Sequence, residues 1–182
     1  MSNMHNIPIT IADILIEITS PLSAAELGIE GRLGPFRAAG APEKPLSRVA
    51  LRWEKSESAP VPCGDLIYDP GFVWKMYRTG DAYYAAFSYT HEDVLGVLRA
   101  NAAWDDVTLT EQRSGLNWQT LFNIGAGELL LRTRIILMDG LVFHASGIDD
   151  NGQGIVFVGH SGAGKEHAVR LVESCAWRDC DE

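Results

Sequence analysis

Four apolar residues, Ile155 to Val158, run directly into Gly159-His160-Ser161-Gly162-Ala163-Gly164-Lys165, and an amphipathic stretch follows with Ala168, Leu171, Val172 and Cys175 on one helical face. A strand, a glycine-rich loop and a helix in that order constrain the backbone strongly. The spacing G-x-x-x-x-G-K (Walker A) is that of a phosphate-binding loop. Its glycines let the chain wrap without Cβ clashes, so that N–H groups from about Ser161 to Glu166 can point at one anion. The helix N-terminus adds a positive dipole end, and Lys165 supplies a mobile cation. Gly159, His160, Ser161, Gly162, Ala163, Gly164, Lys165 and Glu166 are therefore the candidate binding residues. The order is not Gly-x-Gly-x-x-Gly, which disfavours a dinucleotide.

Phosphate loops place Ser or Thr after the lysine, where a hydroxyl ligates Mg²⁺, but this chain has Glu166 there. At about 4 Å two like charges repel by roughly 1 to 4 kcal/mol at effective dielectrics of about 80 to 20. The loop is expected to bind a magnesium nucleotide about tenfold to a thousandfold more weakly than its parent pattern would.

Upstream, Leu141 to Ile148 reads as a strand carrying His144, turning at Asp149-Asp150-Asn151-Gly152 and returning as Ile155 to Val158. Leu116 to Ile124 and Glu128 to Met138 read as helices, broken at Gly125-Ala126-Gly127 and ending before Gly140. From Ile7 to about Leu109 the signals are of period two: Ile14, Ile16 and Ile18 alternate with Leu15, Glu17 and Thr19, and Val49, Leu51 and Trp53 with Ala50, Arg52 and Glu54. Phe72 to Arg78 and Ala82 to Tyr89 flank Thr79-Gly80-Asp81 as a hairpin. The aromatic residues of that hairpin suit a sheet packed on a core, and Gly31 to Pro45 reads as a loop. The expected domains are a β-rich region over 1–115 and a loop-bearing region over 116–182.

The 182 residues carry 15 Lys+Arg against 24 Asp+Glu, a net charge of −9 that repels nucleic-acid phosphates and anionic lipid in the absence of any basic run. Three cysteines without CxxC spacing argue against a disulfide framework and a zinc site. The stretch Ile7 to Ile18 has no basic flank and carries Asp13 and Glu17, unlike a signal peptide, while Arg132, Arg134 and Asp139 interrupt the most apolar later segment. A cytoplasmic protein without nucleic-acid or membrane partners is expected.

The segments Gly140-Leu141-Val142-Phe143-His144-Ala145-Ser146-Gly147-Ile148, Gly154-Ile155-Val156-Phe157-Val158 and Gly159 to Lys165 together resemble the HPr kinase/phosphorylase-like family, over about Gly115 to Lys165. The resemblance implies an α+β or α/β protein. In it, a β-rich N-terminal region precedes the start of a P-loop core akin to phosphoenolpyruvate carboxykinase. It also implies ATP and Mg²⁺ as cofactors, phosphoryl transfer to a serine of a protein or peptide, and assembly as a homo-oligomer. Lys165 would stabilise developing charge, and His144 would stand near the reacting phosphates.

The family continues with Ser-Thr after the lysine and carries an acidic pair further on, whereas this chain stops 17 residues past Lys165. Asp179, Asp181 and Glu182 follow a poor strand and read as a charged terminus. A truncated kinase homologue with weak or no turnover is the expectation. If Glu166 and His167 are encoded GAG and CAC, omitting one nucleotide restores Ser-Thr, so a frame shift after Lys165 is expected; a GAA codon for Glu166 excludes it. The amphipathic spacing after Lys165 counts against the shift. The alternatives are a peptide- or protein-binding module with a vestigial loop, and another P-loop ATPase.

Overall fold

In the computed structural model, residues 4–30, 33–38, 42–58, 60–71, 73–88, 94–112 and 125–176 are described, the last six of them as backbone only. The chain forms two compact units, Met1–Met138 and Asp139–Glu182.

In the first unit the strands are β1 (His5–Ile11), β2 (Ile14–Ser20), β3 (Ser47–Ser56), β4 (Asp65–Tyr68), β5 (Trp74–Thr79), β6 (Ala82–Ser88), β7 (Val94–Ala100) and β8 (Asp106–Gln112). They form one sheet in the order β1-β2-β3-β8-β7-β6-β5-β4. Alternation is the reason: every second residue of β3 from Ser47 to Trp53 is buried, while its neighbours Arg48, Ala50, Arg52 and Glu54 are exposed. The same face is continued by Ile7 and Ile9, by Ile14, Ile16 and Ile18, and by Val107 and Leu109, all at most 3% exposed.

Two-residue connections join the hairpins. Ala12 and Asp13 take φ of 50° and 60° between β1 and β2, the positive values that a tight turn matching strand twist needs. Gly80 does the same between β5 and β6, where the Arg78 Nε donates to its carbonyl at 2.9 Å. The expected hairpin thus forms, with its partners paired from Thr79–Ala82 to Trp74–Phe87.

β2 and β3 run parallel, so residues 21–46 must cross back over the sheet. Ser23 and Glu26 build a reciprocal cap at the start of this crossover: the Ser23 N–H and Oγ donate to Glu26 Oε2 at 2.8 and 2.7 Å. The hydrogen bonds from Ser23 are the main cause that holds the Glu26 carboxyl below its usual range. The cap closes a turn that lays Ala24, Leu27 and Ile29 on the core. A short helix, α1 (Gly34–Ala38), lies inside the stretch expected to be a loop.

α2 (Gly127–Leu137) also covers the core, Leu130 being fully buried and Leu129, Leu131, Ile135 and Met138 half-buried against it. A Cβ on Gly125 would lie 3.1 Å from the Phe87 ring, so the glycine lets the chain enter close to β6. Arg134 fixes the helix laterally, its Nε donating to Ser47 Oγ at 2.8 Å and its Nη1 to the Ala103 carbonyl at 2.7 Å. The helix expected over Leu116 to Ile124 lies outside the described residues.

One ion pair interrupts the apolar face. Glu111 on β8 is 2% exposed and receives the Lys55 ammonium at 3.1 Å, with Gly96 as its registered neighbour on β7 leaving room for the longer side chain. Burial raises the Glu111 pKa, opposed by the Lys55 charge and by hydrogen bonds from Lys55 and Trp53.

The second unit holds the hairpin of β9 (Ala145–Asp150) and β10 (Gln153–Val158) and the helix α3 (Lys165–Ala176). The expectation of an α+β or α/β protein leading into a P-loop kinase core akin to phosphoenolpyruvate carboxykinase is overturned. The described residues are mostly β, with an eight-stranded mixed sheet and, among them, three helices of 5, 11 and 12 residues. Among the described residues the strand before the loop pairs antiparallel with β9 alone, whereas such a core needs that strand inside a parallel sheet flanked by helices.

Two outcomes follow. Leu130→Ala should cost about 2–5 kcal/mol in denaturant unfolding by opening a cavity under α2, while Ile136→Ala, 62% exposed, should stay within about 0.5 kcal/mol. Because folding raises the Glu111 pKa, that carboxyl contributes stability below its ordinary value of 4.5 and loses it as pH rises through the raised value. The Tm of E111Q relative to the native chain should therefore climb with pH from 4.5 upwards, and a flat difference would refute a burial-driven shift.

Candidate functional site

The second unit positions the phosphate-loop residues by a short chain of local causes. Asn151 and Gly152, with φ of 52° and 88°, make a two-residue turn, and the Gly152 N–H donates to Asp149 Oδ1 at 2.7 Å. The turn sets the register from Asp150–Gln153 to Ala145–Val158. Val158 then enters the loop and Lys165 begins α3, as the strand–loop–helix order requires.

Within the loop Gly162 and Gly164 take φ of 80° and 76°, in the left-handed region open to glycine at little cost. The Ala163 N–H donates to the His160 carbonyl at 3.1 Å, which tightens the bend, and the Ala168 N–H reaches the Gly164 carbonyl at 3.0 Å as the first turn of α3. Among the described residues the amides of Ser161, Gly162 and Gly164 have no backbone acceptor. The amides of Lys165 and Glu166, at the helix start, have none by construction of a helix.

Lys165 is half-buried and folds back over the loop. Its Nζ donates to the Gly159 and His160 carbonyls at 3.0 Å each. The ammonium therefore lies across the mouth of the bend instead of extending away from it. Gly159 leaves little room for a side chain: a Cβ there would meet the Ala163 Cβ at 3.0 Å, so the loop would have to give by a few tenths of an ångström, while the Lys165 stem at 3.9 and 4.0 Å is in ordinary contact. The His160 Nδ1 lies 3.0 Å from the Ser161 carbonyl, which fixes the imidazole as an Nδ1–H donor. Ser161, Gly162, Ala163 and Gly164 are exposed, as are Glu166 and His167.

His144, expected on a strand from Leu141 to Ile148, lies just before β9, which begins only at Ala145, and it is exposed. The ladder ends at the Ala145–Val158 pair, so His144 is the residue before it on one side and Gly159 the residue after it on the other. No group of three or more metal-ligating side chains occurs among the described residues. Asp179, Asp181 and Glu182 lie outside them.

Sequence reasoning missed two groupings, both in the first unit. Glu111 with Lys55 was legible from the alternation Val107, Leu109, Glu111, which assigns the carboxylate to the core face. A row of Tyr77, Tyr84, Arg99, Thr108 and Arg52 across five strands was not, because strand order is needed to assemble it.

No family model, curated protein or solved structure matches the chain. Among the described residues no helix is long and apolar enough to cross a membrane.

Gly159→Ala should press on the Ala163 methyl group, 3.0 Å from the added Cβ, and shift the backbone amide resonances of His160 to Lys165. Gly162→Ala, with no atom within 4 Å of its Cβ, should show only a local effect of strain.

Proposed function

We propose that Gly159 to Glu166 binds the polyphosphate of ATP, and that the chain is an HPr-kinase-like serine kinase homologue with weak or no phosphoryl transfer. The observation that carries this reading is the Lys165 ammonium held on the Gly159 and His160 carbonyls, beside loop amides that have no backbone acceptor. An entering phosphate oxygen would take the loop amides and draw the ammonium from two neutral carbonyls to a charged acceptor, a stronger hydrogen bond. Residues Ser161 to Glu166 would hold the β- and γ-phosphates, and His144 would stand beside them.

Mg²⁺ fits this chain poorly. The position after the lysine offers the Glu166 carboxylate where a hydroxyl is required, and Glu166 is the one acidic residue from Gly159 to Ala168. Binding without efficient turnover is the chemistry that these residues support.

Thermal shift with millimolar ATP tests the reading. ATP should raise the Tm, and Lys165→Ala should remove the shift; no shift, or an equal shift in the variant, refutes nucleotide binding. Glu166→Ser should tighten binding of the magnesium nucleotide by about tenfold or more, since it removes the repulsion and restores the hydroxyl.

A further inference from the structure

The second unit has an open strand edge. The two-residue turn at Asn151-Gly152 makes Asp150–Gln153 the first hydrogen-bonded pair of the β9–β10 hairpin, and in an antiparallel ladder such pairs alternate with pairs whose backbone groups point away. Ile155 and Phe157 therefore direct their N–H and C=O groups at β9. Gly154, Val156 and Val158 turn theirs outward, and among the described residues β10 pairs with β9 alone. An unpaired row of alternating donors and acceptors fits one kind of occupant, another extended strand.

Two other edges carry devices that stop such pairing, and β10 carries none of them. The turn at Ala12-Asp13 sets the same alternation in the large sheet, so the outward positions of β1 are Asn6, Pro8 and Thr10, and the middle one has no N–H. On β9 the outward residues are Ala145, Gly147 and Asp149, and Asp150 follows, so that edge ends in charge. From Gln153 to Val158 there is no charged residue, no proline and no shift of register. Val156 and Val158 are 59% and 65% exposed along it.

We propose that β10 pairs antiparallel with β10 of a second copy of this chain, about a twofold axis at Val156. The outward residues are symmetric about that position. Val156 meets its own counterpart and Gly154 meets Val158 on either side, each pair exchanging both of its N–H···O bonds. No outward amide of the strand is then left without an acceptor. The glycine gives the Val158 isopropyl group opposite it room, and the two Val156 residues stand about 5.5 Å apart between Cα atoms and pack across the axis. A strand with small and branched residues in the order that complements Gly154-x-Val156-x-Val158 is needed, and β10 itself has that order when reversed.

Charge and closure agree with a pair of chains. The net charge of −9 is not concentrated on the contact: the two Asp149 positions of the joined sheet lie roughly 20 Å apart, about twice the screening length at about 0.1 M salt. Both free edges of the joined sheet are β9, whose Asp149 and Asp150 oppose a further strand, so assembly stops at two. Pairing at β10 needs no nucleotide on the loop and is measured without one.

Sedimentation equilibrium of the full chain from about 5 μM to about 500 μM tests the proposal. A contact this small belongs with interfaces that dissociate readily, so a monomer–dimer equilibrium with a Kd of about 10 to 500 μM and no larger species is expected. Val156→Lys, which sets two like charges across the axis, and Val156→Pro, which removes an N–H that β9 does not use, should each weaken association at least about tenfold. Leu141→Lys, at an apolar residue 75% exposed but off the strand, should leave it unchanged. Far-ultraviolet circular dichroism at low concentration checks that each variant is folded. Amide hydrogen exchange reads the register: Gly154, Val156 and Val158 should slow as concentration rises, while Ile155 and Phe157, already bonded to β9, should not. A monomer throughout, equal association by Val156→Lys, growth beyond the dimer, or unchanged exchange at the outward amides would each overturn the proposal.

Discussion

The strand β3 is the constraint on which the large unit depends. It is the longest strand and has parallel neighbours on both sides, β2 and β8. Parallel pairing cannot be closed by a tight turn, so both connections must travel across or around the sheet. One of them, residues 21–46, lays Ala24, Leu27 and Ile29 over the core. The other is itself a meander, β4 to β7, which extends the sheet on the far side of β8. The position of β3 thus decides what covers the apolar face and where the remaining strands go. Arg134 ties α2 to the first residue of the same strand through Ser47, so the helix and the strand are held in one arrangement.

Much of this was legible in the residues. The alternation in β2, β3 and β8 gave strands and inward faces, because burial on one face of a pleated sheet has a period of two. The tight turns at Gly80 and at Asn151-Gly152 were legible for the same reason that they form, since few residues accept positive φ cheaply. Strand order was not legible: nothing local in Ile14–Thr19 or Arg48–Arg52 distinguishes a parallel neighbour from an antiparallel one. The short helix at Gly34–Ala38 was hidden by the glycine and proline content around it. The helix over Gly127–Leu137 was readable in period, but its membership of the β-rich unit depends on the contacts of Leu130.

The loop of the second unit shows the opposite balance. Its local geometry follows from the residues, since glycines at 162 and 164 occupy positive φ and the lysine begins the helix. The surroundings did not follow. A run such as Ile155 to Val158 is the composition of a strand covered on both faces, yet here Ile155, Val156 and Val158 are exposed and, among the described residues, the strand pairs in a two-stranded hairpin. The motif describes how a backbone can wrap an anion; it does not determine the sheet into which the preceding strand is set. The resemblance carried a whole architecture on a segment whose physics specifies one turn.

The edge strand β4 has a consequence for how the protein behaves when concentrated. Leu66, Ile67 and Tyr68 are all about half exposed, on the last strand of an eight-stranded sheet, which is the arrangement that invites another chain to add on and start a fibre. The register slip between Leu66 and Tyr68 breaks the repeat of hydrogen-bonding groups in a strand only four residues long. Asp65 and Asp69 bracket it with charge, the latter held at 2.9 Å by Lys75. An incoming strand finds at β4 neither a continuous ladder nor an uncharged border, the two features on which edge-to-edge addition depends.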